Sequence, residues 1–355
     1  MVVIMNRYML DVKFDSTKVE NLNKVLLQDG FHDRLNEVRK INPRVIQNPS
    51  VVEINIPFIT KGGNLFLKRV DEDIAHTLNA EKGCSLAKQI NFGGYDESKL
   101  RFLTLEGEAH VTTHAMDYFL DEEIVPICTI TFYFYSRSKK ITDTSKFIKF
   151  TEDISSESNL DYVTDRNQLI ENFSLENAIL FIDGPLIGGN ISHYNIELVE
   201  KLHKKNIFPV FVVKNSDSNL IVDNMKELSY EYNSDLHWAY KTLKEGQRTS
   251  LFMYSDKYNN RFSKIFCYIK PFNYITPQRI EFHQSTFVFY KEFIPDLFDL
   301  IYYLLLLHGD KKNPQMRPIA IAEKYAREVM RTFDIEILLK SSSLIQTLDQ
   351  TRFGG

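Results

Sequence analysis

The spacing of hydrophobic residues predicts an ordered series of strands and helices between residues 101 and 213. Continuous or alternating apolar runs are typical of strands, whereas apolar residues at every third or fourth position are typical of helices. On this basis we expect strands at 102–108, 124–136 and 146–150, a helix at 159–173, a strand at 178–183, a helix at 194–205 and a strand at 207–213. The last three elements form a β-α-β unit, so its two strands should run parallel.

The amino-terminal residues 1–95 are expected to form a separate α+β extension. Apolar spacing and turn signals there predict a helix at 17–39, strands at 52–59 and 64–69, and a loop at 84–95. The main domain is expected at 96–340, followed by a carboxyl-terminal tail at 341–355.

Three strands, a helix, a strand, a helix and a strand are the order of an RNase H-like fold. In this α/β fold a mixed sheet, made of an antiparallel meander extended by parallel strands, is flanked by helices. Its catalytic acids lie on the first strand, on the first helix and at the end of the fourth strand. The acids at these places are Glu106, Glu171 and Asp183. They predict either a metal-dependent nuclease centre or three unrelated surface and turn residues.

Asp183 is the most informative of these acids because it ends an apolar strand. Five apolar residues precede it, and Gly184 and Pro185 follow it. A charged group at the end of a buried strand must be paired, bound to a metal or exposed in a cleft, which makes Asp183 a candidate active-site residue. The alternative is a turn-forming Asp-Gly pair.

A site with oxygen ligands only favours a hard cation, so the predicted cofactor is Mn²⁺ or Mg²⁺. Two such ions, about 4 Å apart, can stabilise the attacking and leaving oxygens of a phosphodiester. Without a cation the three carboxylates would repel one another.

Composition limits the possible settings of this site. Hydrophobic residues make up 43% of the chain and charged residues 25%, which is typical of a folded protein. The net charge is −4, so the chain as a whole lacks a strongly basic nucleic-acid footprint, and any such binding must be local. The three cysteines are far apart, and no apolar run is long enough to span a membrane. We therefore expect a protein of the reducing cytoplasm without a membrane partner.

Five short blocks of the sequence resemble, in order, the NurA nuclease family. They are residues 181–186, 210–216, 235–250, 278–282 and 317–323. The resemblance implies an RNase H-like core, a homodimer that surrounds DNA, and Mn²⁺-dependent DNA cleavage. It also implies coupling to a hexameric HerA-like ATPase that translocates DNA, in DNA end processing or phage defence.

The resemblance also suggests roles for individual residues. Glu106, Glu171 and Asp183 would hold the metal, and Glu323 would complete the catalytic set. Lys214, Arg248 and Arg317 would contact DNA.

Two positions depart from the family pattern. The first-strand motif of the family is usually Asp-Gly-Ser, whereas Glu106 is followed by Gly107 and Glu108. Near the carboxyl terminus the family has Tyr and His eight residues apart, and the corresponding residues are Gln315 and Glu323. These departures leave a catalytically degenerate DNA-binding adaptor, which docks on a HerA-like ATPase and stimulates it, as the alternative function. An RNA-directed relative is a third possibility, because PIWI modules share the core.

Overall fold

The computed structural model describes residues 31–40, 58–59, 65–104, 106–120, 123–139, 145–224, 226–229, 231–256, 261–307 and 315–333. The chain divides into two units, Met1–Pro49 and Ser50–Gly355. The described part of the first unit is one helix, α1 (Phe31–Lys40), which overlaps the end of the predicted helix at 17–39. The remainder of that prediction, most of the predicted strand at 52–59 and the tail at 341–355 lie outside the described residues.

The second unit is built on a large mixed sheet with helices on its faces. Its described strands are β1 (Phe58–Ile59), β2 (Leu65–Arg69), β3 (Ala75–Thr77), β4 (Asn91–Leu103), β5 (Glu108–Leu120), β6 (Glu123–Ser136), β7 (Ile148–Phe150), β8 (Ala178–Asp183), β9 (Phe208–Val213), β10 (Gln247–Thr249), β11 (Phe252–Asp256), β12 (Ser263–Lys270) and β13 (Gln278–His283). Its described helices are α2 (Ala80–Ala87), α3 (Ile154–Phe173), α4 (Ser192–Lys204), α5 (Lys226–Ser229), α6 (Asp235–Thr242), α7 (Gln284–Phe289), α8 (Ile294–Leu307) and α9 (Arg317–Thr332).

The strand order confirms the predicted RNase H-like α/β fold. The order is β1-β2-β11-β12-β13-β9-β8-β4-β5-β6-β7, with β10 paired to β12 and β3. Strands β4, β5 and β6 form the antiparallel meander, β8 runs parallel to β4, and β9 runs parallel to β8. Strands β2 and β3, which lie within the predicted amino-terminal extension, join the same sheet, because β2 pairs with β11 and β3 pairs with β10. The predicted domain boundary at residue 95 falls inside β4.

The first strand of the meander begins earlier than the sequence pattern predicts. It is β4, whereas residues 102–108 cover the end of β4, a turn and the first residue of β5. Residues 84–95, expected to be a loop, contain the end of α2 and the start of β4. The prediction of the first strand was therefore wrong, because residues 102–108 span the turn of the β4-β5 hairpin and are not a strand of their own.

Two glycines explain why β4 resembles a loop in the sequence. A Cβ atom on Gly93 would lie 2.2 Å from the carbonyl oxygen of Asp117, and one on Gly94 would lie 2.4 Å from the backbone of Pro318. The glycines permit close contact with β5 and with the start of α9. A residue type that usually signals a turn is required here by packing inside a strand.

The sheet separates two hydrophobic layers. Along β8, Ile179 and Phe181 face the layer that includes α8 and the start of α9, whereas Leu180 and Ile182 face the layer of α3 and α4. This alternation is the period of two expected for a strand buried on both faces. Asp183 is the last residue of the strand and, unlike the residues before it, is only partly buried.

Helix α8 is buried within its own chain. Its residues Leu297, Leu300 and Leu304 are fully inaccessible to solvent, and Asp299 lies against Gly83 of α2. The apolar run at 297–307 predicts a helix buried either within its own chain or against a second subunit, and on the sequence alone it is the candidate for the dimer contact. The structure places it in the core of its own chain. No helix among the described residues is long and apolar enough to cross a membrane. The three cysteines are free.

Candidate functional site

Asp96 and Asp183 lie side by side at the centre of the sheet. The parallel register of β4 and β8 pairs Tyr95 with Ile182, so the next residue on each strand is an aspartate. Asp183 is the last residue of β8, and Asp96 lies within β4, which continues beyond it. The edge of the sheet at which β8 and β9 end is where open α/β sheets place their active sites.

Lys214 joins these two carboxylates to Glu323. Its Nζ atom is 3.3 Å from Asp96 Oδ2, 3.4 Å from Asp183 Oδ1 and 3.5 Å from Glu323 Oε2. Lys214 directly follows β9, and Glu323 is carried by α9, which crosses β4 at Gly94. Carboxylates from two strands and one helix therefore meet around an ammonium group that follows a third strand.

The pKa values of the two aspartates reflect this crowding. Burial, together with the neighbouring charge of Asp183, raises the pKa of Asp96 to about 7. Burial also raises the pKa of Asp183, although Lys214 opposes the shift. Burial alone would lower the pKa of Lys214, but the surrounding carboxylates outweigh it, and the net shift is upward. The cluster thus has more negative charge than its one lysine neutralises.

Glu323 is stabilised as a carboxylate by its neighbours. Burial would raise its pKa, but a hydrogen bond with Gln315 and the charges of Lys214 and Arg327 together lower it. Arg327 lies one turn further along α9 and forms an ion pair with Glu323. The two positions that depart from the family's Tyr and His are therefore in contact with each other.

A cleft of about 450 Å³ opens beside Asp183 on the α3 face of the sheet. The side chains that line it include Glu97, Lys99, Tyr162, Arg166 and Asp183. Arg166 is almost inaccessible to solvent and is hydrogen-bonded to Asn167 and Asn195. The cleft is thus polar and of mixed charge.

Two of the predicted metal ligands do not reach this cluster. Glu106 is exposed in the turn between β4 and β5, and the strand from Asp96 to Leu103 alone spans about 23 Å. Glu171 lies near the end of α3, where Lys201 Nζ is 2.6 Å from its carboxylate. This end of α3 leads into the start of β8, which is separated from Asp183 by the whole strand, about 17 Å. The structure brings together Asp183, Glu323 and Lys214, and not Glu106 or Glu171.

The two arginines predicted to contact DNA differ in accessibility. Arg248 is 7% exposed, and its guanidinium is 2.7 Å from Asp71 and lies over the ring of Phe298. It links Asp71, which lies between β2 and β3, to the sheet, so its predicted DNA contact is not supported by its position. Arg317 begins α9 and is only partly buried, and it donates a hydrogen bond to the carbonyl of Leu307.

Asp96 is the site residue that the sequence interpretation missed. It begins the tripeptide Asp96-Glu97-Ser98, which keeps the first and third residues of the family's Asp-Gly-Ser motif. A search for this motif before residue 102, where the predicted strand begins, would have found Asp96. If the motif is placed at Asp96 instead of Glu106, an Asp stands at the first-strand position, and the departure from the motif falls on Glu97.

The chemistry of the cluster fits a hard divalent cation. Carboxylate oxygens are the ligands that Mg²⁺ and Mn²⁺ prefer, and Lys214 marks a point at which positive charge is stabilised by Asp96, Asp183 and Glu323. In the part of the chain that the structure describes, no group of three or more Asp, Glu, His or Cys side chains is arranged to hold a metal ion. The fit is therefore one of ligand type, and a bound cation would share these carboxylates with Lys214.

Comparisons with known proteins agree with this architecture. The family model of the NurA domain matches residues 134–328, which is more than half of the chain and includes Asp183, Lys214 and Glu323. No curated protein sequence matches the chain.

Solved structures show the same likeness. The chain is similar to the NurA nuclease of Sulfolobus solfataricus, with a TM-score of 0.50 and 10% identity, over 89% of this chain and 99% of that chain. It is also similar to endonuclease V of Ciona intestinalis bound to DNA, with a TM-score of 0.37 and 14% identity, over 73% and 93% of the two chains. The first likeness supports the fold, and the family match supports the relationship. The chain therefore belongs to the NurA family.

Proposed function

We propose that this protein is a metal-dependent DNA nuclease of NurA type that hydrolyses phosphodiester bonds. The observation that carries the proposal is the convergence of Asp96, Asp183 and Glu323 on Lys214 at the centre of an RNase H-like sheet. The cluster has three carboxylates, and its cations are Lys214 and, beside Glu323 alone, the exposed Arg327. The family match and the fold support a nuclease.

Asp96, Asp183 and Glu323 would hold the divalent cation, with Mn²⁺ or Mg²⁺ as the candidates. When bound, such a cation stabilises the negative charge that develops on the phosphodiester oxygens. Glu323 is proposed as a ligand of the cation and not as a proton donor, because its interactions with Lys214 and Arg327 favour the charged carboxylate. It would thus take the place of the family's histidine.

Lys214 is proposed to contact the scissile phosphate. Its ammonium group is only partly exposed and is oriented by three carboxylates, so a phosphate that approaches the cluster meets a positioned cation. Arg317 is proposed to contact the DNA backbone at the start of α9. It lies six residues before Glu323, about 9 Å along the helix axis.

The biological setting is proposed from the family. We propose a homodimer that surrounds DNA, a hexameric HerA-like ATPase as the partner, and a cytoplasmic role in DNA end processing or phage defence. A locally basic channel is compatible with the net charge of −4, since only the surface that faces DNA must be basic. The buried helix α8 is not the dimer contact in this proposal.

The direct test is DNA cleavage by the purified chain with Mn²⁺, with Mg²⁺ and with EDTA, on matched DNA and RNA strands. We expect Mn²⁺-dependent release of nucleotides from DNA. We expect Asp183→Asn and Asp96→Asn to lower the rate at least about a hundredfold, because several kcal/mol of charge stabilisation would be lost. Glu171→Gln is the matched control, and it should cleave as the wild type does.

The competing function is a non-catalytic adaptor, and α3 provides an observation in its favour. The helix supplies Tyr162 and Arg166 to the cleft, and no acid. Release of no nucleotides at any Mn²⁺ concentration, with stimulation of a HerA-like ATPase, would identify the adaptor. Preferential cleavage of RNA would instead point to an RNA-directed enzyme.

A further inference from the structure

Arg166 of α3 is a buried cation in the wall of the cleft beside Asp183. It is 3% exposed, and it lines the same cleft of about 450 Å³ as Asp183. The two acids of the cleft are paired with other cations, Glu97 with Lys99 at 3.1 Å and Asp183 with Lys214 at 3.4 Å. Within the described residues, no carboxylate forms an ion pair with the guanidinium of Arg166.

The hydrogen bonds of the Arg166 guanidinium leave part of it unused. Nε and Nη2 donate to Asn167 Oδ1, and Nη2 also donates to Asn195 Oδ1. Both acceptors are uncharged amide oxygens, and Nη1 has no partner in the part of the chain that the structure describes. An arginine does not lose its proton on burial, so its charge is unfavourable unless an anion compensates it. Arg166 therefore keeps a charge and the two N–H groups of Nη1 for an anion.

The loop that follows Asp183 fixes the position of Arg166. Asn195 accepts the hydrogen bond from Arg166 through Oδ1, and its Nδ2 donates to the carbonyls of Pro185, at 3.1 Å, and Leu186, at 2.9 Å. One amide side chain thus connects the guanidinium to the residues directly after the candidate catalytic aspartate. An anion bound by Arg166 would be held at a defined position relative to that aspartate.

The loop wall of the cleft is also suited to an anion. It consists of Gly184, Pro185, Gly188, Gly189 and Ile191, and it carries no side-chain charge. Helix α4 begins directly after it, and the start of α4 has no side-chain cap. Uncapped N–H groups and the helix dipole favour negative charge at this end of a helix. The helix end adds to the buried cation and does not define the site by itself.

We propose that Arg166 binds a phosphate group of a DNA strand in this cleft. The inference rests on the proposed nuclease function and deepens it, because the bound phosphate determines how the strand lies across Asp183. The planar guanidinium matches phosphate oxygens, with which it forms charge-assisted hydrogen bonds. The phosphate belongs either to a nucleotide within the strand or to a 5′-phosphorylated strand end.

The test is DNA binding in EDTA, measured by fluorescence anisotropy on short strands in which one phosphate at a time is an uncharged methylphosphonate. Arg166→Met removes the charge and keeps a long side chain. We expect one position at which the methylphosphonate weakens binding by the wild type about tenfold. Arg166→Met should bind the unmodified strand about tenfold more weakly and lose nothing further at that position.

Strands with a 5′-phosphate or a 5′-hydroxyl distinguish the two sources of the phosphate. If a strand end is bound, removal of the 5′-phosphate weakens the wild type and leaves Arg166→Met unchanged. If an internal phosphate is bound, both strands bind equally well, and the sensitive position lies within the strand.

Two further variants separate the phosphate contact from a general effect of charge or folding. Arg261→Gln removes an exposed arginine, 3.0 Å from Glu200, and gives the same change in net charge. It should respond to each methylphosphonate as the wild type does. Arg166→Lys keeps the charge without the planar group, so its loss at the sensitive position should be intermediate. Thermal unfolding checks that each variant is folded, and Arg166→Lys carries the test if Arg166→Met does not fold.

DNA cleavage with Mn²⁺ in parallel separates the two proposals. If the wild type cleaves DNA, and the Arg166 variants respond to every methylphosphonate as the wild type does, the role of Arg166 is overturned and the nuclease function stands. If the wild type shows the sensitive position but never cleaves, the phosphate site stands and the nuclease function fails. If the wild type neither binds nor cleaves DNA, both proposals fail.

Discussion

Two charged clusters lie on adjacent parts of the sheet, one around Lys214 and one around Glu281. Carboxylates outnumber cations in the first, and cations outnumber carboxylates in the second. Around Lys214, three carboxylates share one lysine, and only Glu323 has a second cation, the exposed Arg327. Around Glu281, one carboxylate lies between two cations, 2.6 Å from Lys264 Nζ and 2.7 Å from Arg279 Nε. The Glu281 cluster is almost completely buried, whereas about a quarter of the Lys214 and Asp183 side chains is exposed.

The difference between the two clusters indicates that the Glu281 cluster serves the fold, whereas the Lys214 cluster is suited to bind a ligand. Burial would raise the pKa of Glu281, but Lys264 and Arg279 outweigh burial and lower it, so the carboxylate stays charged without outside help. Glu281 Oε2 also accepts a hydrogen bond from the backbone N–H of Leu186, in the loop that follows Asp183. Arg279 donates to Ser216, two residues after Lys214. The Glu281 cluster therefore positions both loops of the site, while the Lys214 cluster keeps an excess of negative charge for a ligand.

The largest expected effect is on stability, from Glu281→Gln. Removing the carboxylate leaves the buried cations of Lys264 and Arg279 unneutralised, and breaking a buried ion pair in this way costs about 3 to 5 kcal/mol. Urea unfolding in EDTA measures the change. The matched control is Glu200→Gln, which removes the carboxylate from an exposed pair with Arg261 and should cost less than about 1 kcal/mol. Similar losses for both variants would remove the distinction between the Glu281 cluster and an ordinary surface pair.

Asp117 is a third case for the comparison, a buried carboxyl group whose pKa is set by burial and backbone hydrogen bonds and not by a neighbouring cation. It is fully buried, accepts a hydrogen bond from the Gly94 N–H, and its Oδ2 has no hydrogen-bond partner in the structure. Burial raises its pKa to about 8, so the folded protein keeps a proton that the unfolded chain loses near pH 4. Its contribution to stability is complete below pH 4 and is lost as the pH rises toward 8, by at most about 1.4 kcal/mol per pH unit.

Asp117→Asn should remove this dependence, because an amide does not titrate in this range. The measurement is urea unfolding of the wild type and of Asp117→Asn at pH 5, 6 and 7 in EDTA. We expect the free energy of unfolding of the wild type to decrease relative to that of the variant as the pH rises. Parallel pH profiles would show that burial alone does not keep this carboxyl group protonated.

A smaller effect, of opposite sign to that of Glu281→Gln, is expected for Asp96→Asn. Burial and the charge of Asp183 raise the pKa of Asp96 to about 7, so at pH 8 without metal its ionised form is held at a cost in stability. The amide relieves part of this repulsion, and we expect a gain of about 1 kcal/mol in EDTA. A loss comparable to that of Glu281→Gln would mean that the two clusters are alike and that Asp96 serves the fold.

The sequence predicted the parts of the fold that have regular hydrophobic periods. The helix at 159–173 and the strands at 178–183 and 207–213 correspond closely to α3, β8 and β9. Strand β4 was missed because Gly93, Gly94 and four charged residues hide its period of two. The reason for both glycines lies in contacts with residues distant in the sequence, which a local pattern does not contain.

The absence of long-range contacts from a local sequence pattern also explains which site residues were predicted and which were missed. Asp183 was predicted because its signal is local, a charge at the end of an apolar strand. Asp96 was missed together with its strand, and Glu106 was chosen from a strand assigned too late in the chain. That Glu171 is paired with Lys201, and that α3 supplies no acid to the cleft, depends on which face of a helix meets the sheet. Helical spacing gives the position of a residue on the helix and not the surface that it meets.

The smallest expected effect is that of Glu106→Gln. This variant tests whether a carboxylate outside the Lys214 cluster contributes to cleavage. Glu106 is exposed in a turn at the far end of β4, where its backbone carbonyl, and not its carboxylate, accepts a hydrogen bond from Ser136. Since the amide keeps this backbone contact, stability should change by less than about 0.5 kcal/mol. DNA cleavage and Mn²⁺ affinity should equal those of the wild type. A loss of cleavage in Glu106→Gln, with folding intact, would mean that the catalytic carboxylates are not those gathered around Lys214.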